Sequence, residues 1–353
     1  MLSVSFKHSS PIYFRGYQGS SKIQENGVEK EYNHYTEFMR NFPTMEFAKD
    51  YAVKNFPYGT NITEFGPSQG QNLYSYLILL DQHNKDKKYK ATGYDISPKV
   101  IELAKAGLYK LNRYNKNEQI LFATPTPFYV KKTMDEDKSK PIREKFFEYF
   151  QEVKFDEKST SYASLKNLAT ISKDSVNKLE YKRMKAYLEM HKDKNEFYVA
   201  PRPEKVKDIL DLKFGDIRNI DKILEPEKSG VVIFQNALYH IMDSMTLDGY
   251  NHVDIKPVQE IFEKINKVLP KNGIFVMGNL IHDHLYDSSY EPKTRLAHQN
   301  NEIIRVFDSS KVHEALKKSG FEPIFYEKAS TYPFVDFKDV YLPSEWKKVS
   351  HLK

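Results

Sequence analysis

Residues 63–75 read TEFGPSQGQNLYS. They start within the short β-prone run NITEF and lead into the apolar run YSYLILL. Between the runs stand Gly66 and Gly70, with Pro67 and Ser68 among the residues separating them. A strand, a glycine turn and a helix in that order open a parallel α/β sheet. Glycine at 66 and 70 lets the backbone pass close to a ligand, because no Cβ stands in the way. The helix that follows offers unpaired N–H groups and the positive end of its dipole.

Outward from this loop the same unit recurs. KYKATGYD at 88–95 reads as a second strand, and PKVIELAKAGLYKLN at 98–112 as its helix. The rhythm breaks at 111–207, where Lys, Glu and Asp dominate and TPTPF, KSKPIREKFFEYFQEV and EFYVAPRP stand out. It resumes with DILDLKFGDIRNI, the strand GVVIFQNALYHI and the helix PVQEIFEKINKVL, which stops at Pro270. The turn PKNG, the strand IFVMGNL, a helix SSKVHEALKKSG closed by Gly320 and a last strand FEPIFYEK complete the pattern. This alternation predicts an open, Rossmann-like doubly wound sheet with a mixed, partly helical insertion.

Residues 1–30 read as irregular, and 31–55 as a short N-terminal helical segment interrupted near Pro43. The expected organisation is an N-terminal segment over 1–58 and a ligand-binding domain over 59–118 and 208–330. An inserted subdomain over 119–207 and a C-terminal tail over 331–353 complete it.

Composition narrows the function. Tyr (25) and Phe (23) far outnumber Trp (1), which predicts an aromatic core in a globular chain. There is no cysteine, which excludes disulfides and thiolate chemistry from these residues. The net charge of +6 is spread over Lys-rich stretches in which acids alternate, a solvated surface with no basic-aromatic cluster for nucleic acid. No run approaches the roughly 18 apolar residues of a membrane span, and MLSVSFKHSSPIYF lacks the pattern of a signal peptide. The expectation is a cytoplasmic protein with no nucleic-acid partner and no membrane insertion.

In doubly wound sheets ligands bind beyond the carboxyl ends of the strands, where the 63–75 loop and Asp95 both fall. An acid after the second strand can accept hydrogen bonds from both hydroxyls of a ribose. The nicotinamide fingerprint GxGxxG is not met, since position 68 is Ser and position 71 is Gln, and GxxxxGK[ST] is not met either. An adenosine-type cofactor without a pyrophosphate cradle remains, which favours S-adenosylmethionine over NAD.

Here the chain resembles the class I S-adenosylmethionine-dependent methyltransferases, and among them the chemotaxis-receptor (CheR-type) family. GPSQGQNLYS is similar to that family's G-x-S-T-G-E-E-x-Y-S loop at Gly66, Ser68, Gly70, Tyr74 and Ser75. GYDISPKVIELAKAGLY resembles its second-strand segment, TEFMR at 36–40 its T-x-F-F-R motif, and VVIFQN its I-F-C-R-N strand. Gln71 and Asn72 stand where the family loop carries acids, and GNLI stands where it carries G-H-S-E. Few residues precede Thr36, where the family places a helical receptor-docking domain.

The resemblance implies roles. Asp95, with Ile96, would bind the ribose, and Asp216, with Ile217, would lie beside the adenine. Asn236, with Ala237, would meet the methionine portion, and Gly66, Ser68 and Gly70 would line the loop. Thr36 and Arg40 would face the cofactor and the methyl acceptor, and Arg40 and Tyr239 are the catalytic candidates. Tyr239 stands one place before the position of the family's tyrosine, which is His240 here. Glu64 either caps the turn or joins the cofactor site.

Methyl transfer from a sulfonium is an in-line displacement. A carboxylate acceptor is already ionised at neutral pH and needs no strong base, so placing it is the main task. The planar fork of Arg40 suits that task. HDH at 282–284 lacks a further ligand set, and no metal is expected. The acceptor is expected to be a protein glutamate, such as that of a chemoreceptor-like protein, or else a small molecule. A non-catalytic cofactor-binding module is the third reading. The amino-group methylating tetrad [DN]-P-P-[YFW] is absent, since FQNALY contains no proline. Oligomeric state is left open.

Overall fold

A computed structural model describes residues 19–25, 28–34, 38–39, 41–107, 109–114, 119–121, 136–153, 196–235, 238, 241, 255–278, 298–299, 302–303, 309–330 and 336–349. The chain begins with the antiparallel pair β1 (Gly19–Glu25) and β2 (Val28–His34). Helix α1 (Phe42–Asn55) leads to β3 (Thr60–Phe65), α2 (Gln71–Leu80), β4 (Tyr89–Asp95) and α3 (Pro98–Ala106). An inserted unit follows, with β5 (Tyr109–Tyr114), β6 (Gln119–Leu121), α4 (Glu136–Tyr149), β7 (Phe150–Val153) and β8 (Glu196–Pro201). Next come α5 (Pro203–Val206), β9 (Leu210–Phe214), α6 (Ile220–Ile223) and β10 (Ser229–Ile233). Helix α7 (Lys256–Val268), β11 (Ile274–Val276) and the short β12 (His298–Gln299) and β13 (Glu302–Ile303) come after them. Helix α8 (Ser309–Lys318), β14 (Phe321–Ser330) and β15 (Asp336–Lys348) complete the described elements.

Seven strands form the main sheet in the order β14-β15-β11-β10-β3-β4-β9. β9, β4, β3, β10 and β11 run parallel, and β15 lies antiparallel between β11 and β14. The order of strands turns outward in both directions from β3 and β10, so their carboxyl ends flank the switch-point crevice. Burial follows from position. All five residues of β10 are buried, as a central parallel strand with helices on both faces requires. Helix α7 buries Val258, Ile261, Phe262, Ile265 and Val268, one stripe at helical spacing. Helix α2 differs, because all of its residues but Leu79 are buried. One face packs on the sheet through Tyr76 and Leu80, and the other meets the insert through Tyr74, Leu77 and Ile78.

The insert is a four-stranded antiparallel sheet ordered β6-β5-β8-β7. The sequence predicts a helix over 98–112, but the helix ends at Ala106, and Gly107 at φ +62° starts the turn into β5. The expected N-terminal helix is also shorter. Pro43 occupies its first turn instead of interrupting it, and His34 still belongs to β2. The irregular reading of 1–30 gives way to the β1–β2 pair over its described part. The stretch from 336, expected as a tail, is the reversed strand of the main sheet, with Trp346 fully buried.

Candidate functional site

The turn after β3 is built around left-handed backbone. Gly66 (φ +69°), Ser68 (φ +52°) and Gly70 (φ +85°) all have positive φ, which glycine adopts readily and serine only when its surroundings hold it. The Gly66 amide donates to the Tyr94 carbonyl at 2.8 Å, and the Gly70 amide to the Pro67 carbonyl at 2.9 Å. The Ser68 amide donates to Asp95 Oδ2 at 3.3 Å, and the Ser97 amide to Asp95 Oδ1 at 2.9 Å. Asp95 therefore ties the loop to the end of β4. Gly70 is the N-cap of α2 and has no side chain to fill the cap, so the loop and the helix N-terminus share one concavity.

A second acid enters from β3. Glu64 Oε1 accepts from Asn72 Nδ2 at 2.7 Å, and Asn72 reaches Gln235 Oε1 at 3.5 Å. Burial raises the Glu64 carboxyl to about 8 against the pull of the Asn72 hydrogen bond, and the Asp95 charge raises it further. Burial likewise raises Asp95 to about 6, opposed by the backbone amides of Ser97, Ser68 and Ile96. Two buried acids within one site make a region that favours positive charge.

The site also holds unfilled hydrogen-bonding capacity. Glu64 Oε2, Ser68 Oγ, Gln71 Oε1, Asn72 Oδ1 and Gln235 Nε2 are buried and have no partner among the described residues. Clustered buried polar atoms of this kind await a ligand or water. Four of the five can accept, which suits a ligand carrying N–H and O–H donors. S-adenosylmethionine, with an ammonium group, a ribose diol and an adenine amine, fits that donor set. When bound it supplies an electrophilic methyl on a cationic sulfur.

Glu64, Gly66, Ser68, Gly70, Asp95 and Ile96 thus lie together around the ends of β3 and β4. Asp216 lies at the end of β9, where Gly215 donates to the Asp95 carbonyl at 3.0 Å. Its carboxylate caps the following turn through the Arg218 amide at 2.9 Å and pairs with the Arg218 guanidinium at 2.5 Å. Ile217 is buried in the core beside Ile220. Thr36, Arg40, Asn236, Ala237, Tyr239 and His240 fall outside the described residues, as does HDH at 282–284. Phe38 and Met39 lie in a turn ahead of α1, and the Met39 amide donates to Ser75 Oγ at 2.8 Å. Gln235 went unnoticed in the sequence, although it directly precedes Asn236 at the end of a central strand.

Comparison with known proteins agrees with this geometry. Residues 34–161 match the family model described as CheR methyltransferase, SAM binding domain. No curated relative matches the chain. Among solved structures, the chain is 12% identical to a SAM-dependent methyltransferase from Methanosarcina mazei, covering 83% of this chain and 93% of that one at a TM-score of 0.36. It is 11% identical to the glycopeptide N-methyltransferase MtfA, covering 86% and 94% at a TM-score of 0.38. The [4+2]-cyclase SpnF is 11% identical at a TM-score of 0.34, with 81% of this chain and 61% of that chain covered. The family match and the sheet order describe a class I S-adenosylmethionine-dependent methyltransferase that resembles the CheR type, with S-adenosylmethionine as its cofactor. Among the described residues no helix is long and apolar enough to cross a membrane.

Proposed function

We propose that this chain is a cytoplasmic O-methyltransferase whose acceptor is a carboxylate, a glutamate side chain of a protein. The family match over 34–161 carries the reading, because it spans TEFMR, the Gly66–Gly70 loop and Asp95 together. In this reading Asp95 holds the ribose diol. Glu64 and the amides of Gln71, Asn72 and Gln235 receive the polar methionine end, and Asp216 meets the adenine from the edge of the site. Thr36, Asn236 and Ala237 complete the cofactor's surroundings.

The acceptor is ionised at neutral pH and attacks without a general base. The chain therefore has to orient one carboxylate oxygen in line with the methyl and keep water out. Arg40 is the orienting group, a planar fork that fixes a carboxylate in one attitude. Tyr239 is the second residue assigned to the acceptor side.

Incubation with methyl-labelled S-adenosylmethionine and a cell extract tests the proposal. A labelled protein band that loses its label in mild base is the expected result. Base-stable protein label would exclude an ester, and label confined to the small-molecule fraction would replace the protein acceptor with a metabolite. Cofactor binding without any transfer would leave a binding module.

A further inference from the structure

We infer that the inserted β5–β8 sheet sets the affinity of the cofactor loop, and that Tyr109 is the positioning residue through which it acts. The inference rests on the reading of Gly66–Gly70 as the S-adenosylmethionine loop. It goes beyond that reading by placing a determinant of cofactor affinity in a unit that contributes no ligand-binding side chain to the described site.

The geometry begins with a loop that needs support. Ser68 at φ +52° keeps a conformation that an L-residue holds only under constraint from its neighbours. The main sheet supplies part of the constraint through the Tyr94 carbonyl and a long 3.3 Å contact to Asp95. From the insert, the Tyr109 hydroxyl donates to the Gln69 carbonyl at 2.6 Å. Gln69 is the residue between Ser68 and Gly70, so this contact fixes the loop between two of its three left-handed positions.

Tyr109 is well placed to transmit the state of the insert. It is the first paired residue of β5, opposite Val199 of β8. Its ring is 3% exposed and is locked by edge contacts with Phe38 at 5.0 Å, Phe150 at 5.7 Å and Tyr74 at 5.8 Å. Phe150 opens β7, so β5, β7 and the N-terminal segment all bear on one ring. The insert also holds the far end of α2. The Tyr149 hydroxyl reaches the Leu77 carbonyl at 3.2 Å and Asp81 at 2.8 Å, and Lys145 pairs with Asp81 at 2.8 Å. The loop and the helix it opens are therefore braced at both ends by one unit.

A brace of this kind acts through preorganisation. Without the Tyr109 hydroxyl, the free loop leaves its strained conformation, and binding has to restore it. Apparent affinity then falls by the fraction of molecules still competent to bind. The coupling is reciprocal, so the cofactor in turn stabilises the insert.

Two measurements test this. Tyr109→Phe keeps the ring and deletes the hydroxyl, and calorimetric titration should show its Kd for S-adenosylmethionine raised about tenfold. Ile274→Val trims a fully buried side chain in a core cluster that does not include Tyr109, and it should lower the melting temperature while leaving Kd within about twofold of wild type. In the wild-type protein, hydrogen exchange at the paired β5 and β8 amides should slow about threefold or more when the cofactor is added. An unchanged Kd in Tyr109→Phe, an equal loss of affinity in Ile274→Val, or insert exchange indifferent to cofactor would each overturn the inference while leaving the cofactor site intact. Failure of the wild-type protein to bind S-adenosylmethionine would overturn both.

Discussion

Asn72 Nδ2 lies 2.7 Å from Glu64 Oε1, so the first turn of α2 and the end of β3 are joined by a buried hydrogen bond. The resembled family carries acids at positions 71 and 72, and here amides occupy both. The acidic groups of the site come instead from two strands, Glu64 from β3 and Asp95 from the end of β4. Both groups pay for burial, and that cost is open to titration.

Glu64 gives the first prediction. Its carboxyl moves from 4.5 in the unfolded reference to about 8 in the fold. Between those values the native state holds the proton more tightly than the unfolded chain, so the stability of the cofactor-free protein falls as pH rises through that window. The upper bound on the loss is roughly 5 kcal/mol. Urea unfolding at pH 5, 7 and 9 should show the decline, and Glu64→Gln should flatten most of it. A profile identical in the two proteins would show that Glu64 is not buried as described.

Gly93 gives a second. A Cβ there would come within 2.7 Å of a Leu73 methyl and 2.9 Å of both Leu212 and the Pro67 ring. The first two are fully or almost fully buried, so the added methyl has little room. Gly93→Ala should cost about 1–3 kcal/mol in chemical denaturation. It should also weaken cofactor binding, because Pro67 belongs to the loop.

The core of this reading was legible because its signals are local. NITEF, the glycine turn and YSYLILL mark β3, the loop and α2, and Asp95 closes the next strand. What was missed depends on tertiary context. YLPSEWKK does not look like a core strand, since it carries Pro343, Ser344, Glu345 and Lys348. Yet β15 is buried between β11 and β14, with Thr44 Oγ1 donating to Ser344 Oγ at 3.3 Å and Lys348 Nζ to the Leu269 carbonyl at 2.7 Å. The β1–β2 pair had a local signal that was passed over, the Asn26-Gly27 dipeptide between its strands. Pro43, which reads as a helix breaker in the sequence, marks a helix start. Gln235 carried no motif, and only its proximity to Asn72 places it in the site.

Trp346 tests whether β15 is part of the fold. Its ring is fully buried in the cluster with Phe262, Phe275 and Phe321. Trp346→Ala should lose about 3–5 kcal/mol of stability. A change below about 1 kcal/mol would mean that this strand is an ornament on the sheet.

Arg40 separates binding from turnover. If it orients the acceptor, Arg40→Ala should leave the calorimetric affinity for S-adenosylmethionine within about threefold of wild type and reduce methyl transfer at least about a hundredfold. Retained transfer would exclude the clamp.

In the proposed site the loop after β3 and Asp95 together hold S-adenosylmethionine. Asp95 anchors the Ser68 and Ser97 amides and is the residue proposed to receive the ribose. The most direct measurement is isothermal titration of the wild-type protein and Asp95→Ala with S-adenosylmethionine, each checked for folding by circular dichroism. The account predicts saturable one-to-one binding by the wild type and at least about a hundredfold loss in a folded Asp95→Ala, as expected when charged hydrogen bonds are removed. No binding by the wild type, or equal binding by the two proteins, would contradict it.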